Sequence, residues 1–312
     1  MSMPVANLMA RVEGYGGLSK NQEDLLRLGY CFKSLATVTL FTNANPLTFK
    51  ARAAQKAEGN VLASTSLKMV KDKFTFTPKR RTDGMVQYTL QYAPNAKVTA
   101  KAEAKTTEKA GAKSTEITVS TEYRKYNYAV KVAGVHPNPA LKLTGTWRKN
   151  SHGLGFDGKF LLSTSRFVNY NFATWYESVG QSIVLKHNGS DANKYALGEL
   201  VLSYYRAVAS TVKDGAPTVK DQAPTTHIAG LAKFHIPSKS TYLEFGGDYK
   251  WSDSTTLRGK VNSAGLVGLG LTRKILASLN LTLGAQFDTT KLRTDSISGY
   301  KFGFKLDFNS VF

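Results

Sequence analysis

Apolar and polar residues alternate with a period of two along most of this chain. From Leu279 to Asp288, Leu279, Leu281, Leu283, Ala285 and Phe287 share one parity, and Asn280, Thr282, Gly284, Gln286 and Asp288 the other. Successive side chains of a strand point to opposite faces, so the pattern predicts strands with one apolar and one wet face. The texture recurs at Val86, Tyr88, Leu90 and Tyr92, at Leu141, Leu143 and Trp147, at Leu243, Phe245, Tyr249 and Trp251, and at Phe302, Phe304, Leu306 and Phe308. Turn signals separate the runs, among them Asn43 to Pro46, Asp83-Gly84, His136 to Pro139, Asn188-Gly189-Ser190 and Asp214-Gly215.

Strands are predicted at 30–41, 47–57, 60–70, 73–80, 84–93, 95–104, 114–124, 126–135, 139–149 and 152–163. A second run covers 166–176, 179–187, 194–206, 227–235, 240–250, 254–263, 266–275, 279–288 and 300–308. A length of roughly 9 to 11 residues suits a tilted strand crossing a bilayer and is long for a soluble sandwich. Tyr92, Tyr123, Trp147, Trp175, Tyr176, Tyr249 and Trp251 fall near strand ends, where they are expected to form girdles at the membrane interfaces. An open sheet this wide would expose edges, so closure into a transmembrane antiparallel β-barrel is expected.

A different texture precedes the first strand. Ser19 with Gln22 reads as a capping box, Glu23 and Asp24 occupy the first turn, and Leu25, Leu26 and Leu28 follow. This predicts an amphipathic helix too short to stand alone, packed on the lumen wall. The organisation expected is an N-terminal extension and helix at 1–29 and a barrel at 30–312, with a long connection at 207–226.

Composition narrows the classes. The 312 residues carry 42 Lys plus Arg against 22 Asp plus Glu, a formal charge of +20. Mean hydropathy is −0.27, and no apolar run reaches the roughly 18 residues of a spanning helix. The single cysteine, Cys31, excludes a disulfide scaffold. Met1 to Val12 reads as neither a secretory signal nor a transit peptide, so an internal address is expected. The cations are spread, with Lys79 to Arg81 the only tight cluster, and nucleic acid is not an expected partner.

Enzyme chemistry is not expected either. Gly153, Gly155 and Gly158 spell a dinucleotide-type glycine pattern, but strand-like residues follow where a helix should open. The five histidines, His136, His152, His187, His227 and His235, show no metal spacing, and no cofactor is implied. Asn188-Gly189-Ser190 reads better as a turn than as a glycosylation site. Function resides instead in the wet faces. Lys73, Lys97, Lys101, Lys142, Arg148, Lys250, Arg258, Lys260, Lys301 and Lys305 are expected to line the pore, diluted by Glu103, Glu122, Glu244, Asp248, Asp288 and Asp307. Such an excess of fixed cations raises the local concentration of anions and predicts mild anion selectivity.

Three C-terminal segments carry a family resemblance: Gly259 to Thr272, Leu279 to Leu283, and Gly299-Tyr300-Lys301-Phe302-Gly303-Phe304-Lys305-Leu306. They resemble the last strands of the mitochondrial porins, the voltage-dependent anion channels. Gly29-Tyr30-Cys31-Phe32 is similar to the family's entry into its first strand, and Phe74-Thr75-Phe76-Thr77 to its fourth. The resemblance implies a 19-stranded barrel in the mitochondrial outer membrane, conducting ATP, ADP and other anions past an N-terminal helix, and the number of strands expected is the family's. It also implies a sorting signal in the last strand, with Lys301, Gly303, Leu306 and Phe308 read by the outer-membrane barrel assembly machinery. Where animal members carry a lipid-facing acid in the fourth strand, this chain has Pro78, and 207–226 exceeds the family's usual turns. Two alternatives remain: a structural subunit of a larger assembly, with protein partners at 207–226 and the N-terminal extension, and a protein-conducting import barrel, whose lumen should be more mixed in charge.

Overall fold

The computed structural model describes residues 18, 20–27, 30, 36–55, 60–109, 112–189, 198–208, 226–291 and 299–311. One helix, α1 (Lys20–Arg27), precedes the strands β1 (Ala36–Ala44), β2 (Leu47–Gln55), β3 (Val61–Lys71), β4 (Phe74–Arg81), β5 (Val86–Tyr92), β6 (Val98–Lys109) and β7 (Ala112–Arg124). Next come β8 (Tyr128–His136), β9 (Ala140–Lys149), β10 (His152–Leu161), β11 (Arg166–Ser178), β12 (Gln181–Asn188) and β13 (Glu199–Val208). The last are β14 (Thr226–His235), β15 (Ser240–Ser252), β16 (Thr255–Asn262), β17 (Leu266–Leu276), β18 (Leu279–Asp288) and β19 (Tyr300–Val311).

Each strand pairs antiparallel with the next, and β19 runs parallel to β1, from Ala36 opposite Phe304 to Asn43 opposite Val311. This one parallel seam closes a 19-stranded sheet, so no strand edge is left open. Leu40, Leu90, Phe172, Leu202, Phe245, Leu269 and Phe302 all stand exposed on the outer surface. A belt of that extent around a whole molecule is a lipid-facing surface, because monomers in water do not sustain one.

Several boundaries differ from those the alternation predicts. β6 runs on to Lys109 and β7 starts at Ala112, beyond the expected bounds, because the outward positions there, Thr106, Glu108, Lys113 and Thr115, are polar and carry no apolar alternation. β1 begins at Ala36 rather than residue 30. β13 and β14 reach Val208 and Thr226, and the connection between them, like Ser19, Gly29, Cys31 and residues 1–17, lies outside the described residues. Pro78 sits on the outer face of β4 opposite Tyr88. The β3–β4 ladder runs through Ser66–Lys79 and resumes at Met69–Phe76, breaking beside Pro78, which has no N–H to donate.

The interior is built around α1. Gln22, Leu25 and Leu26 are buried and spaced so that one helical face carries all three. Leu25 and Leu26 pack with Val201, Ala229 and Leu231 of β13 and β14. Just before the helix, Leu18 packs with Ala173, Trp175 and Val184. The barrel wall stabilises the helix here, since an eight-residue helix is marginal by itself in water.

Candidate permeation pathway

Facing can be carried around the barrel from one fixed point. Lys260 Nζ donates to the Leu26 carbonyl at 2.8 Å and lies 2.9 Å from Glu244 Oε1, so both residues face the lumen where α1 lies. Gln22 Nε2 donates to Ser182 Oγ at 2.7 Å, and Lys186 Nζ donates to the Leu18 carbonyl, which fixes β12 in the same way. Cross-strand partners share a face, so the register transmits this assignment from strand to strand, and the two routes agree when they meet at the β1–β19 seam.

On this reading Lys101, Lys142, Arg148, Lys250, Arg258, Lys260, Lys301 and Lys305 stand on the lumenal face. Lys73 and Lys97 lie in the connections after β3 and β5, at the mouth rather than on the wall, because each is one residue before its strand begins. Trp175 is the clear departure among the aromatics. It is 6% exposed and faces inward, where a Cβ on Gly153 would lie 2.1 Å from its ring. Gly153, part of the glycine pattern in β10, is therefore the notch that lets an indole lie flat on the wall. Tyr92, Tyr123, Trp147, Tyr249 and Trp251 do stand exposed on the outer face.

Several lumenal cations were not singled out by the alternation. Lys50 and Arg52 on β2 were hidden because Ala51 and Ala53 dilute the outer face. Lys68, Lys79, Arg81, Lys105, Lys131, Lys159, Lys186, Lys233 and Lys274 join them. Glu116, Asp157, Glu177 and Glu199 add to the carboxylates. Extending each strand of alternation by two residues, and reading the weak strand 47–57 by parity alone, would have found Lys50, Arg52 and Lys105.

Electrostatically the lumen has two unlike walls. On β12 to β16 the carboxylates are matched: Glu244 with Lys260, Asp248 with Arg258 at 3.8 Å and with His227 Nδ1 at 2.6 Å, Glu199 with Lys233 at 4.0 Å. Between this wall and the end of α1 lies a cavity of about 530 Å³ lined by Arg27, Tyr30, Tyr242, Glu244 and Lys260 among others. The Tyr30 ring sits 5.0 Å beneath Lys260 Nζ, and burial pushes its hydroxyl pKa up. Strands β1 to β5, by contrast, contain no acidic residue at all. Lys50, Arg52, Lys68 and Lys79 there make no ion pair with a described residue.

A closed strand barrel with an apolar exterior, a charged interior and a helix lying on its inner wall is the geometry of a pore, and the eukaryotic porin profile matches residues 14–303. The chain belongs to the eukaryotic porin family. This porin is 23% identical over 307 residues to "Non-selective voltage-gated ion channel VDAC2" of Meleagris gallopavo, covering 97% of this chain and 96% of that one. Among solved structures, a triple mutant of the Rh. blastica porin superposes with a TM-score of 0.46 at 10% identity, covering 77% of this porin and 91% of the mutant. OccK10 (OpdN) of Pseudomonas aeruginosa gives a TM-score of 0.30 at 11% identity, covering 86% and 89%. Membership of the eukaryotic porin family makes this a pore-type channel protein, and its lumenal side chains are what a permeating solute meets.

Proposed function

We propose that this porin is a passive channel of the mitochondrial outer membrane that mildly favours anions and passes phosphorylated metabolites such as ATP and ADP, without enzymatic activity. The observation that carries the reading is the lumenal charge: cations outnumber carboxylates around the wall, and strands β1 to β5 carry no acid, Asp83 in the turn after β4 meeting only Arg81. Single exposed lysines are well screened and worth little alone. Facing one confined passage, they sum to a field that enriches anions and fades with salt. The carboxylate-free wall weighs against a protein-conducting lumen, for which a mixed lining is expected. Delivery is assigned to β19, where Lys301 and Gly303 face inward and Leu306 and Phe308 face lipid, a pattern for the barrel assembly machinery to read. In planar bilayers under a KCl gradient the zero-current potential should show chloride favoured over potassium, most at low salt. Cation preference would overturn the reading.

A further inference from the structure

We propose that the lumenal face of β2 to β4 holds a binding site for a triphosphate chain, built from Lys50, Arg52, Lys79 and Arg81 around Ser64 and Ser66. The site rests on the reading of the pore as one that favours anions.

The register places these residues. Lys50 is opposite Ser66, which is opposite Lys79; Arg52 is opposite Ser64, which is opposite Arg81. Strands lie about 4.8 Å apart and same-face neighbours on one strand about 7 Å apart, so four cations stand at the corners of a patch about 10 Å by 7 Å. Two serine hydroxyls occupy the column between them. Neither serine has a side-chain hydrogen bond to a described residue, and both are half-buried. Arg81 shares its charge with Asp83 at 2.5 Å, while Lys50, Arg52 and Lys79 make no ion pair among the described residues.

The chemistry follows from this arrangement. A carboxylate would be over-matched by so many cations, and a single chloride would meet only one corner. A triphosphate carries several charges along a short chain and can accept from two corners while the serine hydroxyls donate to its central oxygens. Arginine adds a planar fork that binds phosphate oxygens two at a time, and charge-assisted bonds of this kind are the stronger class. No other wall offers the same combination among the described residues. On β12 to β16 each lumenal cation is drawn to a carboxylate or to the Leu18 or Leu26 carbonyl, and on β8 to β10 Lys142 and Lys159 stand beside Thr144 and Asp157.

A free triphosphate and one carried on a nucleoside offer the same chemistry, and the two sources are separable. The purified porin in detergent should bind inorganic tripolyphosphate and ATP by titration calorimetry at low salt, with adenosine binding neither wall. Similar affinities for ATP and tripolyphosphate place recognition in the phosphates, as proposed; ATP binding without tripolyphosphate binding would overturn it. The variant Lys50→Gln/Arg52→Gln/Lys79→Gln should weaken tripolyphosphate about tenfold or more, and Ser64→Ala/Ser66→Ala should weaken it by a smaller factor while leaving net charge intact. The control Lys142→Gln/Lys159→Gln/Lys274→Gln removes the same charge elsewhere in the lumen and should leave that affinity within about twofold. Equal losses in the two triple variants would show that total charge, not a site, holds the ligand. If binding is unaltered in every variant but chloride remains favoured over potassium, the site fails and the channel reading survives; cation preference of the unaltered pore defeats the reading itself.

Discussion

The two sides of this lumen are built from the same alternating pattern, yet one is neutralised and occupied while the other is charged and bare. On β12 to β16, inward positions include Val184, Val201, Ala229 and Leu231 besides the charged residues, and the lumenal cations there have partners in Glu199, Glu244, Asp248, Asp253 or the carbonyls of Leu18 and Leu26. On β1 to β5 the inward residues are mostly threonine, serine, glutamine, lysine and arginine, with Phe41, Asn43, Ala54, Leu62 and Val70 among them and no carboxylate. The difference teaches that a lumen can place a helix only where its wall gives up both water and net charge. A helix pressed onto β2 to β4 would bury lysines without partners, which is costly. The bare wall is left to solutes.

The largest expected effect comes from removing what attaches α1. Leu26 is 1% exposed, and its side chain lies against Gly246, where a Cβ would come within 2.9 Å of Leu26 Cδ2. Leu26→Asp loses the burial, about 2 to 5 kcal/mol for a core leucine, and adds a carboxylate beside Glu244. A nitroxide on a cysteine at position 20 should change from a slow to a fast spectrum, while the barrel's thermal unfolding in detergent stays the same. An immobile label in that variant would mean that the helix is held by Lys186 and Lys260 alone.

A smaller effect is expected at the other anchor. Gly153→Ala forces the Trp175 indole off the wall, because the added carbon would lie 2.1 Å from two ring atoms. Overpacking of this kind costs about 1 to 3 kcal/mol and should loosen Leu18, whose pocket is formed by Ala173, Trp175 and Val184. In a Trp147→Phe/Trp251→Phe background the remaining fluorescence should shift to the red and become more accessible to iodide. An unchanged emission spectrum would place the indole elsewhere than against Gly153.

Much of this contrast was legible in the residues, and what was not has physical causes. The strands, the seam's last partner in Phe302, Phe304, Leu306 and Phe308, and the helix from Leu25 and Leu26 all follow from local periodicity. Trp175 misled because aromatic residues near strand ends satisfy two opposite rules: a girdle needs the outward parity, and 175 has the same inward parity as Ala173 and Asn171. Reading parity before residue type would have turned it inward. The β2 cations were obscured by alanine on the outer face, where lipid contact requires only the absence of polarity. The pairing of the helix wall is a cross-strand property. Glu244 and Lys260 are brought together by β15–β16 register, which no period along a single strand encodes.

The smallest expected effect is a pH dependence at the rim of the neutralised wall. Asp253, in the turn between β15 and β16, accepts from Lys250 Nζ at 2.8 Å. The hydrogen bond and the charge of that ammonium hold its carboxyl pKa below the ordinary aspartate value. A depressed folded-state pKa means that the interaction is fully present above the ordinary value and is lost as pH falls through the lowered one. Asp253 is fully exposed, so this should leave unfolding unaffected and appear only in local charge. A carbon-13 titration should find the Asp253 midpoint below that of an unpaired aspartate, and Lys250→Met should raise it. As Asp253 protonates, the mouth gains one unit of positive charge, so anion preference should rise slightly in acid in the native porin, and in the Lys250→Met variant the same rise should begin at a higher pH. A titration midpoint unmoved by Lys250→Met would remove Lys250 from the neutralised side and return it to the bare one.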